Sequence, residues 1–145
     1  MDKVIAKIRE FNRFYTNIIG VLNNHILESD YSLTAVRILY EIYHHKDITA
    51  RQIKEMLKVD EGYLSREINK LAKQKMITRK KSKEDNRVYS LQLTQTGETR
   101  FLKLDQRSHE SIQEMIRHLG KKEQEQLAQQ MDEIQRLLNG NNGSV

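Results

Sequence analysis

Apolar residues recur at three- and four-residue steps through most of this 145-residue chain, so helices dominate the expected structure. The first runs from about Asp2 to Leu27 on the row Val4, Ile8, Phe11, Tyr15, Ile18 and Leu22, widened by Phe14, Val21 and Ile26. At ~1.5 Å per residue it is about 40 Å long. That is more than a domain of this size can cover, so part of its apolar face is expected to meet a second subunit. Ser29-Asp30-Tyr31 breaks the pattern, and Ser32 can cap a second helix through Leu33, Val36, Leu39, Tyr40, Ile42 and Tyr43, ending near His44-His45-Lys46. Asp47 marks a turn. Thr49-x-x-Gln52 then reads as a capping box opening a short helix through Ile53, Met56 and Leu57. Asp60 caps the next, about Glu61 to Lys73, with Leu64, Ile68 and Leu71 as its buried row and Tyr63, Ser65, Arg66, Asn69, Lys70 and Lys73 on the other face.

At Met76 the period changes. Met76-Ile77-Thr78-Arg79 begins a strand, Ser82 to Arg87 turns, and Val88 to Leu93 returns with Tyr89, Leu91 and Leu93 on one side. A helix from about Thr96 carries Phe101, Leu104, Ile112, Met115 and Leu119. Gly120 interrupts it, and a last helix holds Leu127, Met131, Ile134 and Leu138. Helix, helix, basic hairpin, helix is the order of a winged helix-turn-helix. The expected fold is therefore mainly α with a small β-hairpin wing, in one domain spanning 1–145. Residues 1–30 and 96–138 would form dimerisation helices, 32–95 the winged-helix lobe, and 139–145 a disordered tail. The first and last helices are expected to come together as a bundle from which the lobe hangs.

Charge sharpens this reading. Residues 51–89 hold 12 Lys/Arg against 6 Asp/Glu, and the rest of the chain holds 13 against 14, so the whole net charge of +5 comes from the helix–hairpin region. A localised basic patch is the electrostatic footprint of phosphate binding. Cysteine is absent, which excludes disulfides, thiolate metal sites and thiol redox sensing. No apolar run approaches the roughly 20 residues needed to span a bilayer, and the N-terminus lacks a signal-peptide pattern. A cytoplasmic location is expected, with no membrane partner. Five histidines raise the question of a metal. Glu41 lies four residues before His45 and could share a site with it, but no two histidines are spaced i,i+4, so neither metal nor cofactor is expected. Gly-rich phosphate loops, a nucleophile elbow and spaced carboxylate pairs are all lacking, so the chain is not expected to be an enzyme.

The segment Asp85-x-Arg87 followed by Leu91-x-Leu93-Thr94-x-x-Gly97 resembles the wing of the MarR family of bacterial winged-helix regulators, and the resemblance runs through essentially the whole chain. Phe11-Asn12-Arg13-Phe14-Tyr15-Thr16, Tyr31-Ser32-Leu33-Thr34 and Gly62-Tyr63-Leu64-Ser65-Arg66 resemble the MarR-like module often fused to a GNAT acetyltransferase domain. The chain stops before such a domain could begin, so that activity is not carried over. One departure concerns the turn after the recognition helix. Family members usually have glycine there, whereas Gln74-Lys75-Met76-Ile77 has none. A lysine in a left-handed conformation costs roughly 1 kcal/mol relative to glycine.

A winged helix of this kind enters the major groove of double-stranded DNA by the N-terminal half of its recognition helix. Ser65, Arg66 and Asn69 are the expected base readers, Arg suiting guanine and Asn adenine, with Tyr63 and Lys70 beside them. Thr49, Arg51, Gln52 and Lys54 are placed for phosphates, and Arg79, Lys80, Lys81 and Lys83 supply the phosphate field of the wing. The resemblance implies that Arg87 inserts into the minor groove, with Asp85 orienting the loop by an ion pair to a nearby arginine such as Arg66. It also implies a homodimer acting on an inverted repeat, usually as a repressor. The implied effector is a small anionic aromatic bound near Phe11, Phe14, Tyr15, Tyr40 and Tyr43. The competing readings are a winged-helix dimer that docks on another protein, and an RNA binder, which would want more exposed aromatics than Tyr63 and Tyr89.

Overall fold

The computed structural model describes residues 2–26 and 31–140. The break expected at Ser29-Asp30, the end of the first helix at Leu27 and the tail beyond Gly140 lie outside them. In chain order the elements are α1 (Lys3–Ile26), α2 (Leu33–His44), α3 (Ala50–Leu57), α4 (Glu61–Lys73), β1 (Ile77–Lys81), β2 (Tyr89–Leu93), α5 (Gln95–Ile116) and α6 (Lys121–Asn139). This is the mainly helical architecture with a hairpin wing that the sequence predicts. The chain divides into two compact units, one ending at Ser108 and one beginning at His109.

The helix starts are set by local chemistry. Ser32 Oγ accepts the Ala35 N–H at 3.0 Å, Asp60 Oδ2 accepts the Tyr63 N–H at 3.0 Å, and Thr49 and Gln52 close a reciprocal capping box at 3.2 and 3.0 Å. Each satisfies amide donors that a helix leaves without partners in its first turn.

The core of the first unit gathers Ile38, Leu39 and Ile42 from α2, Ile53 from α3, Leu64, Ile68 and Leu71 from α4, and Met76, Ile77, Leu91 and Phe101. Two expected rows shift. On α2 the buried stripe is Ala35, Ile38, Leu39 and Ile42, while Leu33, Tyr40 and Tyr43 stay exposed. Thr34, Arg37, Glu41 and His44 share one polar stripe, and the apolar arc left to α2 is wider than a single packed face, so periodicity alone does not choose the inward part of it. On α3, Met56 is exposed and Ile53 and Leu57 carry the packing.

β1 and β2 pair antiparallel, with Ile77 opposite Leu93, Arg79 opposite Leu91 and Lys81 opposite Tyr89. Tyr89, Leu91 and Leu93 share a face, as alternation predicts, but Tyr89 runs past the core and is exposed. Ser90, on the opposite face, is buried. The cause is a further strand contact absent from the sequence reading: Thr49 bridges to Ser90, and the Leu91 N–H donates to the Ile48 carbonyl at 2.8 Å.

The recognition helix ends in a left-handed turn at Lys75, φ 59°, as the missing glycine implied. The Met76 N–H donates to Leu71 O and the Lys75 N–H to Ala72 O, both at 3.0 Å, the paired bonds of a Schellman ending. The start of α5 is seated on this turn. Thr94 donates its N–H to Met76 O at 3.0 Å and its hydroxyl to Lys75 O at 2.6 Å, while its Oγ1 accepts the Gly97 N–H at 2.9 Å. A Cβ on Gly97 would lie 1.9 Å from the Met76 carbonyl oxygen. The Thr-x-x-Gly spacing is thus a requirement of close backbone approach.

Among the described residues, Val4, Ile5, Ile8, Phe11 and Phe14 of α1 form an apolar face that is exposed. In the second unit, Gln124 Nε2 donates to the carbonyls of Ile116 and Leu119 at 3.3 and 3.2 Å, fastening the turn between α5 and α6. None of the residues of α6 is buried; Leu127 and Met131 are half-buried, and Ile134, Leu137 and Leu138 are exposed.

Candidate nucleic-acid interface

α3 and α4 cross beneath the wing to form a cleft of about 720 Å³ lined by Thr49, Arg51, Lys54, Ser65, Arg79 and Arg87, with Leu64, Ile68 and Leu91 as its apolar floor. Residues 38 positions apart in sequence thus converge on one concave, cationic surface. Glu61 also lines it and pairs with Lys54 at 3.4 Å. Arg66, Asn69 and Lys70 do not line the cleft but lie exposed on the adjoining face of α4, with Tyr63 half-buried beside them. Lys70 reaches Glu67 at 3.7 Å and Arg51 reaches Glu55 at 3.9 Å. The Arg51–Glu55 pair is exposed on both sides, is worth at most about 1 kcal/mol and yields readily to a phosphate, whereas Glu67 is itself buried. Thr49 and Gln52 are committed to the capping box that starts α3, so their expected phosphate role is shared with a folding one.

The loop between the strands is built on Asp85. Its carboxylate accepts the Arg87 backbone N–H at 3.0 Å and Arg87 Nε at 3.2 Å, and its carbonyl accepts the Val88 N–H at 3.0 Å. Ser82 Oγ accepts the N–H groups of Glu84 and Asp85 at 3.2 and 3.5 Å. The arginine partner of Asp85 is therefore Arg87 itself, not Arg66. A two-residue separation lets one carboxylate hold both backbone and side chain of Arg87, which no residue on α4 can match. The Arg87 side chain remains 91% exposed, held at its base and open at its tip.

Pleating turns Arg79 and Lys80 to opposite faces of the hairpin, and Lys81 alternates back to the face of Arg79. Arg79 faces α4 and donates to Asn69 Oδ1. Lys80, one residue on, lines a separate cleft of about 480 Å³ with Lys81, Lys83 and Lys46. The sequence reading placed all the wing cations in one field, and it passed over Lys46. It also passed over Glu67, which is buried on α4 with Oε2 3.2 Å from Ser32 Oγ; the signal was its position three residues after Leu64 on the inward face.

The five aromatics proposed for an effector fall into two groups. Phe11 stacks on Tyr15 at 5.6 Å with Phe14 nearby. Tyr40 and Tyr43 gather with His44 around Phe101, the Tyr43–Phe101 centroids being 5.0 Å apart. Among the described residues no ring contact joins the two groups. His45 Nδ1 lies 3.3 Å from Glu41 Oε2, and among the described residues no three His, Asp or Glu converge as metal ligands. No helix among them is long and apolar enough to cross a membrane.

Residues 31–89, which include α2, α3, α4 and the wing up to Tyr89, match the family model described as MarR family. Over that stretch the chain is similar to the MarR family. Over 92 residues the chain is 33% identical to the organic hydroperoxide resistance transcriptional regulator of Bacillus subtilis (strain 168), covering 63% of this chain and 58% of that one. It is 26% identical over 133 residues to the HTH-type transcriptional regulator MhqR of the same organism, covering 92% of each. In three of the curated relatives the matched stretch reaches 66%, 58% and 54% of their length. Its fold superposes with a TM-score of 0.74 on a cysteine-to-serine variant of MarR from E. coli complexed with operator DNA, at 22% identity and covering 91% of this chain and 95% of that one.

Proposed function

We propose that this chain is a sequence-specific double-stranded DNA-binding transcriptional regulator, acting as a homodimeric repressor on an inverted-repeat operator. The observation that carries the reading is the convergence of Ser65, Arg79 and Arg87 on one cationic cleft beside the exposed Arg66–Asn69 face of the recognition helix. The helix residues proposed to read bases and the wing arginine proposed for the minor groove share one surface, which supports an arrangement in which helix and wing grip adjoining grooves. The MarR-family match and the relatives described as transcriptional regulators support the same assignment. The exposed apolar face of α1 supports the homodimer, whose two recognition helices would address half-sites about 34–36 Å apart. Binding would occlude a promoter until a small anionic aromatic effector, held near Phe11, Phe14 and Tyr15 or near Tyr40 and Tyr43, changes the spacing of the two helices.

Selection from a random duplex pool at two salt concentrations, with Arg87→Ala in parallel, tests this. Enrichment of a palindrome, weakened by the substitution, is expected. Salt-sensitive binding with no enriched motif would reduce the protein to a nonspecific cationic surface, and no binding at either salt would overturn the proposal in favour of a protein-docking module.

A further inference from the structure

The hairpin face turned away from the recognition helix forms the second cleft, of about 480 Å³, between β1, the wing loop and the segment Lys46–Thr49. Its volume falls in the range of ligand clefts, roughly 300–1,000 Å³. Lys46, Lys80, Lys81 and Lys83 all line it. Among the described residues none of the four has an ion-pair partner, although Asp47 and Glu84 lie on its wall. With four lysines against two carboxylates in its lining, the cleft carries an excess of positive charge that an anion of charge −2 or more would relieve.

The frame is rigid. The Thr49–Ser90 bridge and the Ile48–Leu91 backbone bond pin the loop bearing Lys46 to the strand beside Lys80. Because Ser82 Oγ accepts two backbone N–H groups, its own hydrogen is left to donate into the cleft. Lysines and a hydroxyl, with no arginine fork and no aromatic wall, suit tetrahedral phosphate better than a planar carboxylate.

We propose that this cleft is a second anion site that binds a run of phosphates, distinct from the recognition surface. Two sources share the chemistry: a free oligophosphate, or the backbone of a duplex continuing past the wing. Only the second rests on the DNA-binding reading above.

The test uses the full chain, the double variant Lys46→Glu/Lys80→Glu, and Lys121→Glu/Lys122→Glu as a control with the same change in net charge elsewhere. Far-UV circular dichroism confirms folding of each. Inorganic tripolyphosphate is titrated by calorimetry, and a selected duplex is compared with one lengthened by a helical turn on each flank. Tripolyphosphate binding weakened roughly tenfold in the cleft variant but unchanged in the control and in Arg87→Ala establishes the free-anion site. If tripolyphosphate does not bind, a gain in affinity on lengthening the duplex, lost only in the cleft variant with a salt slope lower by about 2, assigns the cleft to flanking backbone. A cleft variant that matches the wild type or the charge control in both titrations overturns the proposal. Failure of the selected duplex to respond to Arg87→Ala would instead strike the recognition reading and leave the tripolyphosphate result standing.

Discussion

Arg79 donates from Nη2 to the side-chain oxygen of Asn69 at 2.5 Å, tying the wing strand to the recognition helix. Asn69 can read adenine with its amide group as both donor and acceptor, so the bond to Arg79 fixes which way that group points. Asn69→Ala and Arg79→Ala should therefore be non-additive in operator affinity, with a coupling of about 0.5–1 kcal/mol expected for an exposed pair. A double-mutant cycle measures it, and additive losses would show that the bond is not kept on DNA.

Asp85 and Arg87 act at one point in different ways. Arg87→Ala should weaken binding and lower the slope of log affinity against log salt by about 1. Asp85→Ala removes the acceptor for the Arg87 N–H and Nε but no cation. It should weaken binding a few-fold without lowering that slope. Titrations at several salt concentrations separate the two.

Lys75 holds φ 59° where glycine would be unstrained. Lys75→Gly is expected to stabilise the fold by about 1 kcal/mol, read as a rise of about 4 °C in Tm. Urea unfolding at matched m-value checks it.

Gly97→Ala places a methyl against the backbone of Met76, where no rotamer change can relieve it. Destabilisation of about 3 kcal/mol is expected, seen as a lower urea midpoint. A loss below about 1 kcal/mol would mean that α5 can lift from the turn at small cost.

Ile8 lies exposed on the apolar face of α1. With Ile8→Glu, light scattering should report a monomer, and affinity for an inverted repeat should fall on the order of 100-fold through loss of the second half-site. A variant that stays dimeric would place the interface elsewhere.

The parts legible in the sequence are those governed by neighbours along the chain. The caps at Ser32, Thr49 and Asp60 and the bounds of α4 follow from a few adjacent residues, whereas the left-handed turn at Lys75 was expected only from the family resemblance. What escaped depends on which surfaces meet. The inward face of α2 is chosen by its partners, because its apolar arc is wider than one packed face. Ser90 is buried by a strand contact from Thr49, 41 residues earlier. The parting of Arg79 from Lys80 follows from a pleat whose register only the folded hairpin fixes. Asp85 was matched to a distant arginine when the nearer one satisfied it with two bonds.

The seat of α5 on the end of the recognition helix is made from main-chain oxygens of Lys75 and Met76, met by Thr94 and the bare Cα of Gly97. Long side chains can absorb a displacement by changing rotamer, but peptide groups in contact cannot. The start of α5 is therefore fitted to the end of α4 through backbone contact, and a change at either end must be met by the other.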